Sequence, residues 1–141
     1  AAGAITRMED MGVEPFLLSS SLLGVLSQRL ARTLCDCKES HVADERECEL
    51  LGIEHGKGVE ICRPVGCSEC NHNGYKGRTG IHELLVVDEA VRELIHDGKG
   101  EQAVEKYVRK TTPSIRQDGC NRVLAGQTSL EEVLRVTREE S

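Results

Sequence analysis

The spacing of leucines near the start of the chain predicts a long amphipathic helix over residues 16–34. Leucine recurs there at intervals of four residues, at Leu18, Leu22, Leu26, Leu30 and Leu34. This spacing places the leucines along one face of a helix of about five turns. The serines between them and Gly24 have low helix propensity. We therefore expect this helix to depend on packing against a larger body.

A buried strand followed by a capped helix is predicted further along the chain. Residues 81–87 are rich in Ile, Leu and Val, which favours a buried strand. Asp88 is well placed to cap a helix at residues 89–96, because a short acceptor side chain satisfies the unpaired N–H groups of the first turn. Gly98 lies just beyond that helix, as is typical of a helix end.

The rest of the chain is predicted to be mostly helical. Helices are expected at residues 101–110 and, after Pro113, at residues 114–125. Thr128 and Glu131 have the spacing of a capping box, which predicts a last short helix that begins after Thr128. The polar stretch before the strand has a helical pattern at residues 43–51 and a strand pattern at residues 59–63. The fold class expected from the sequence is therefore mostly α with small β elements.

Composition and charge argue against a protein that binds nucleic acid. The 141 residues include 18 Lys and Arg against 24 Asp and Glu, which gives a net charge of −6. There is one Phe, there are two Tyr, and there is no Trp. Phosphate neutralisation needs clustered cations, and binding of single strands usually needs aromatic faces. We therefore expect no nucleic-acid partner.

The seven cysteines are the most unusual feature of the composition. The sequence contains no secretory signal and no apolar run long enough to span a membrane, so we expect the chain to be cytosolic. In a reducing compartment, closely spaced cysteines bind a metal or perform redox chemistry more often than they form structural disulfides.

Two closely spaced pairs of cysteines predict a zinc site. Cys35 and Cys37 form a C-x-C pair, and after 29 intervening residues Cys67 and Cys70 form a C-x-x-C pair. Thiolates on two tight turns can meet around one tetrahedral ion. The first pair is one residue shorter than usual, so four other side chains remain possible substitutes: Cys48, Cys62, His41 and His72. Core packing is the expected role of Cys48 and of Cys120.

Two other kinds of site fit the sequence less well. A thioredoxin-type redox pair needs a helix to follow the C-x-x-C motif, and residues 66–77 have no helical pattern. The glycines around Lys57 superficially suggest a phosphate loop, but their spacing is wrong and Gly58 stands where Ser or Thr is required. The residues alone therefore show no complete catalytic site.

Four segments resemble the C-terminal part of the type II secretion system ATPase, a family of the larger secretion and type IV pilus assembly ATPase superfamily. These segments together extend over essentially the whole chain, and they are residues 8–34, residues 66–73, residues 74–85 and residues 129–136. The resemblance implies a RecA-like α/β domain of a hexameric motor. It also implies a cytoplasmic location at the inner membrane, contact with the inner-membrane platform proteins, and ATP hydrolysis that drives pseudopilus assembly.

The resemblance also implies roles for particular residues. The family carries a four-cysteine zinc insert, which corresponds here to Cys35, Cys37, Cys67 and Cys70. The usual Pro of the first pair is absent, because Asp36 is the residue between the two cysteines. Residues that match positions near the nucleotide of the superfamily are Arg78, Gln28, Arg29 and Glu83. For Arg78 a salt bridge that joins the insert to the body is an equal alternative, and for the other three a structural role is favoured.

Together these observations predict three regions and one leading function. Residues 1–34 would be the trailing end of a RecA-like core, residues 35–77 the zinc insert, and residues 78–141 a strand with a helical subdomain. The phosphate loop and magnesium-binding segments of the family are expected upstream, so this part alone should not hydrolyse ATP. The alternatives are a zinc-ribbon interaction module that binds nucleic acid or protein, and a C-x-x-C thiol oxidoreductase.

Overall fold

The computed structural model describes residues 1–138, which form a mixed α/β structure of short elements. The helices in this range are α1 (Ala2–Asp10), α2 (Pro15–Ser21), α3 (Glu45–Leu51), α4 (Glu89–His96), α5 (Glu101–Val108), α6 (Ile115–Leu124) and α7 (Leu130–Val136). The strands are β1 (Gly24–Leu34), β2 (Glu39–Val42), β3 (Glu60–Arg63) and β4 (Tyr75–Val86). One two-stranded sheet consists of β1 and β4, and the other of β2 and β3.

The chain divides into two compact units, each built from two separate stretches. One unit contains residues 1–27 and 82–114, and the other contains residues 28–81 and 115–141. Two of the three boundaries fall within strands, because β1 and β4 each contribute residues to the two units, and the third lies just before α6. The three regions expected from the sequence remain a prediction.

The first unit has an apolar core formed by helices and by the end of β4. Helix α2 packs on α4, and α1 packs on α5. Asp88 caps α4 as expected, since its Oδ1 accepts a hydrogen bond from the Val91 N–H at 2.9 Å. The buried side chains of this core are Ala2, Ile5, Leu18, Leu85, Val87, Val91, Ile95, Val104 and Val108.

The second unit has its own core, into which two cysteines pack. Strands β2 and β3 are antiparallel, and His41 lies opposite Ile61. Helix α3 begins with a capping box in which Asp44 accepts from the Glu47 N–H at 2.8 Å. The buried side chains are Ala43, Cys48, Leu51, Ile61, Cys120, Val123, Leu130 and Val133. The expected packing role of Cys48 and Cys120 is confirmed.

The prediction of one long helix over residues 16–34 is wrong. The helix ends at Ser21, and residues 24–34 form strand β1. A spacing of four residues fits a strand as well as a helix, because it is also a multiple of the strand period of two. The side chains of Leu26 and Leu30 are 61% and 50% exposed, whereas Leu18 and Leu34 are buried, so the leucines do not form one buried face. An ideal Cβ on Gly24 would lie 3.2 Å from the Leu85 carbonyl oxygen, which shows how closely β4 approaches.

The later helices agree with the sequence, apart from the start of the last one. Helix α4 has the expected bounds and ends before Gly98, and α5 and α6 lie within their expected ranges. The last helix is capped by Ser129, whose Oγ accepts from the Glu132 N–H at 3.1 Å, and not by Thr128. Thr128 instead donates its hydroxyl to the Arg32 carbonyl oxygen at 2.7 Å. Helix α1 and strand β2 were not expected. No helix in residues 1–138 has the length and apolar character needed to cross a membrane.

Candidate metal centre

The four cysteines predicted to bind zinc lie together in the second unit. Cys35 follows the end of β1, Cys67 precedes a short 3-10 turn at Ser68–Cys70, and Cys70 is the last residue of that turn. All four Sγ atoms lie within 4.8 Å of one another. Among the described residues, no other Cys, His, Asp or Glu belongs to this cluster, so Cys48, Cys62, His41 and His72 lie outside it.

The distances between the sulfur atoms suit a tetrahedral metal site. The Sγ–Sγ distances are 3.7 Å for Cys35–Cys67, 3.9 Å for Cys37–Cys70 and 3.7 Å for Cys67–Cys70. A tetrahedral zinc ion with bonds of about 2.3 Å separates its sulfur ligands by about 3.8 Å. None of the cysteines, all of which lie in the described range, forms a disulfide. The shorter first pair therefore does not prevent a four-sulfur arrangement.

A sharp turn after Cys70 brings the second pair into place. Asn71 and His72 both adopt left-handed conformations, with φ of 54° and 64°. The His72 N–H donates to the Cys67 carbonyl oxygen at 2.8 Å, which closes the turn. This geometry lacks the following helix that a thioredoxin-type pair requires. It instead resembles the tight turns on which paired thiolates approach a metal.

Backbone N–H groups stabilise the thiolate of Cys70. Burial raises the pKa of this thiol, but hydrogen bonds from the Cys67 N–H at 3.2 Å and the Gly74 N–H at 3.3 Å help lower it to about 6. For Cys37, the Gly66 N–H lowers the pKa, whereas burial and hydrogen bonds with the other three thiols raise it to about 11. Because metals bind thiolates, the lowered pKa of Cys70 favours a role as a metal ligand.

The residues expected near a nucleotide occupy different surroundings. Gln28 and Arg29 line a cleft of about 510 Å³ in the second unit, with Leu30, Arg135, Val136 and Arg138. Arg78 is exposed on β4 and does not line this cleft. No hydrogen bond or ion pair joins the Arg78 side chain to another described residue, so the salt bridge that was the equal alternative for Arg78 is not observed among residues 1–138.

Glu83 is buried in an ion pair in the first unit. Its side chain is 3% exposed and is paired with Arg109, whose Nε also donates to Glu105 at 2.6 Å. The Glu83–Arg109 pair ties β4 to the residue after α5, and Arg109 also donates to the Thr112 carbonyl oxygen at 2.8 Å. This arrangement gives Glu83 a structural contact of the kind favoured by the sequence.

Glycines on either side of the second cysteine pair also help to form the site. Gly66 and Gly74 have φ of 115° and 86°, a range that strongly favours glycine. Near the cleft, Arg135 lies on α7, one turn after the buried Glu132. In the sequence, the glycines that flank the second cysteine pair indicate a tight turn there. Their positive φ values are visible only in the structure.

Comparisons with known proteins identify the family of the chain. Residues 1–135 match the family model described as type II/IV secretion system protein. The chain belongs to this family. It is 64% identical over 141 residues to "Type II secretion system protein E" of Aeromonas hydrophila and 61% identical over 140 residues to "Type II secretion system ATPase E" of Vibrio cholerae. The corresponding protein E of Pseudomonas aeruginosa is 57% identical over 141 residues. Each match covers 99% of this chain but only 28% of the relative, so the chain corresponds to a portion of these secretion proteins.

Proposed function

We propose that the chain is the C-terminal part of a motor ATPase that powers type II secretion, and that its own contribution is a zinc-stabilised structure. Family membership across residues 1–135 supports the assignment to a secretion motor. The name of the Vibrio cholerae relative, which includes the word ATPase, supports the activity of the whole protein. In the whole motor protein, both units described above would then belong to a RecA-like domain. Residues outside this chain would complete that domain.

The observation that carries the zinc proposal is the set of sulfur distances. Cys35, Cys37, Cys67 and Cys70 would supply a full shell of four sulfur ligands. A full shell leaves no open position for a substrate, so the ion would act as a structural crosslink. It would join two turns 32 residues apart in the chain and add folding free energy to a polar insert.

The test of the zinc proposal compares two partly buried cysteines of the same insert. Cys37→Ser should abolish stoichiometric zinc in the purified protein, because it removes one of four ligands. Cys62→Ser should retain about one zinc ion per chain, because Cys62 lies outside the cluster. Elemental analysis measures both. A folded, metal-free wild-type protein would contradict the proposal, and loss of zinc from the Cys62 variant alone would reassign the ligand.

We also propose that ATP hydrolysis depends on residues outside this chain. ATP and magnesium would be cofactors of the whole motor, with Arg78, Gln28 and Arg29 near the nucleotide and Glu83 acting through its ion pair with Arg109. The 141-residue chain should show no turnover above the rate without protein. Turnover that persists after repeated purification and varies in proportion to the chain's concentration would contradict this proposal.

The partners proposed for the whole motor are other copies of itself, as a hexamer, and inner-membrane platform proteins on the cytoplasmic face. No nucleic-acid partner is proposed. Large apolar side chains of the first unit support contacts with further protein, since Met11, Phe16, Leu23, Leu26 and Val86 are each more than half exposed. Exposed large apolar side chains are typical of surfaces that another protein covers where they form a contiguous patch.

A further inference from the structure

One buried glycine makes hydrogen bonds to both cysteine pairs. The Gly74 N–H donates to Cys70 Sγ at 3.3 Å, and the Gly74 carbonyl oxygen accepts from the Cys35 N–H at 3.0 Å. The single residue Gly74 therefore links a sulfur atom of the second pair to the backbone of the first pair. The strand β4 begins immediately afterwards, at Tyr75.

Only glycine fits at this position without displacing its neighbours. Gly74 has φ of 86°, which L residues with a side chain rarely adopt. A Cβ built on Gly74 would lie 2.4 Å from Pro64 Cβ and 3.1 Å from Pro64 Cα. Pro64 is rigid, so the backbone of Gly74 would have to move instead. Such a movement would change both of its hydrogen bonds together.

We propose that Gly74 is a positioning residue of the metal centre, because its two peptide groups hold the cysteine pairs at the spacing that one ion requires. This inference rests on the proposed zinc site. The N–H group offsets part of the negative charge that four thiolates bring to one ion. Outer contacts of this kind orient ligands and tune the metal, and their loss typically weakens metal affinity by about 10- to 100-fold.

A matched pair of variants separates this role from simple backbone strain. Gly77 has nearly the same φ, 84°, but a Cβ there would meet nothing within 4 Å. Gly74→Ala should weaken zinc binding by about tenfold or more, measured by competition with a chromophoric chelator. Gly77→Ala should bind zinc as the wild type does. With cobalt(II) in place of zinc, the absorption bands of Gly74→Ala should shift, because the ligand geometry changes, and those of Gly77→Ala should not.

A measurement on the wild-type chain keeps the proposal testable if Gly74→Ala does not fold. The protein loaded with an NMR-active cadmium isotope should show a scalar coupling between the metal and the Gly74 amide proton, transmitted through the hydrogen bond to Cys70 Sγ. Absence of this coupling would overturn the proposal. So would zinc affinity and cobalt spectra of Gly74→Ala that match those of the wild type.

These outcomes differ from failure of the proposed zinc site. If the wild type binds none of the three metals, the site itself is wrong and the role of Gly74 falls with it. If the wild type binds metal and both glycine variants match it, the site stands and only the role of Gly74 is rejected. If zinc affinity is weakened equally in both variants, the effect comes from backbone strain, and the positioning role of Gly74 is also rejected.

Discussion

At the scale of single residues, Glu132 shows how tertiary contacts change a carboxyl group. Its side chain is buried on α7 and accepts hydrogen bonds from the Arg32 N–H at 2.7 Å and the Arg135 Nε at 2.9 Å. Burial raises its pKa, but the two arginines and the Arg32 N–H lower it to about 2 from the ordinary value of 4.5. Arg32 also stacks on Tyr75, with its guanidinium carbon 4.2 Å from the ring centre.

Glu132→Gln should therefore destabilise the protein at pH 7 and much less in acid. The pKa of Glu132 is lower in the folded state, so its contribution is complete above about pH 4.5 and is lost as the pH falls towards about 2. We expect a loss of about 2–3 kcal/mol at pH 7, since both arginines are half exposed and water weakens the pair. Urea unfolding at several pH values measures this.

The neighbouring Glu131→Gln is the control for that experiment. Glu131 lies in the same first turn of α7 but is exposed, so both substitutions remove one charge from the helix start. Glu131→Gln should change the free energy of unfolding by less than about 0.5 kcal/mol. Equal losses in the two variants at every pH would show that the ion pairs of Glu132 contribute nothing specific.

At the scale of elements, the packing of α6 on α7 depends on a glycine inside a helix. Gly119 lies within α6, and a Cβ there would be 2.6 Å from Val133 Cγ1 on α7. Alanine is normally favoured over glycine inside helices, by about 1 kcal/mol. Close approach of the two helices should reverse that preference at this position, because Val133 is fully buried and has no room to move.

We expect Gly119→Ala to lower the free energy of unfolding by about 1–2 kcal/mol, since overpacking outweighs the gain in helix propensity. Gly3→Ala in α1 is the matched control. Its Cβ would meet only the end of the flexible Glu101 side chain, at 2.8 Å from Oε1. That variant should be as stable as the wild type or slightly more stable. Thermal and urea unfolding compare the two, and an unchanged stability of Gly119→Ala would contradict the expected clash.

At the scale of the whole molecule, the two units are stabilised in different ways. The first unit has an apolar core that contains no cysteine. The second unit has a core with two cysteines and, in addition, the cluster of four. If zinc occupies that cluster, the two units should respond differently to its removal, because metal binding contributes folding free energy only where the ligands lie.

Chelation should therefore raise amide exchange in residues 35–77 by about tenfold or more, since tenfold corresponds to about 1.4 kcal/mol of lost local stability. Amides of α4 and α5 in the first unit should keep their protection. Hydrogen exchange read by mass spectrometry measures both regions at once. The Cys37→Ser variant, which already lacks a ligand, should show no further change on chelation. Equal loosening of both units would contradict an ion that acts locally.

The sequence alone determined those features that depend on neighbouring residues. Helix α4 could be predicted with its bounds because Asp88 and Gly98 act within one turn of it. The four clustered cysteines could be predicted because each pair lies on a short turn and zinc requires four ligands. The identity of the family was likewise contained in the sequence, as the match over residues 1–135 shows.

The tertiary structure decided what depends on residues far apart in the chain. Leucines spaced by four fit a helix or a strand, and pairing with β4 made residues 24–34 a strand. Thr128 has a side chain suited to helix capping, but its hydroxyl donates to the Arg32 carbonyl oxygen. Ser129 therefore caps α7. The role of Gly74 also appears only when both cysteine pairs are in place. In each case a hydrogen bond or strand pairing between distant residues selects one of several locally acceptable conformations. The periodicity of the sequence does not show which distant residue will be the partner.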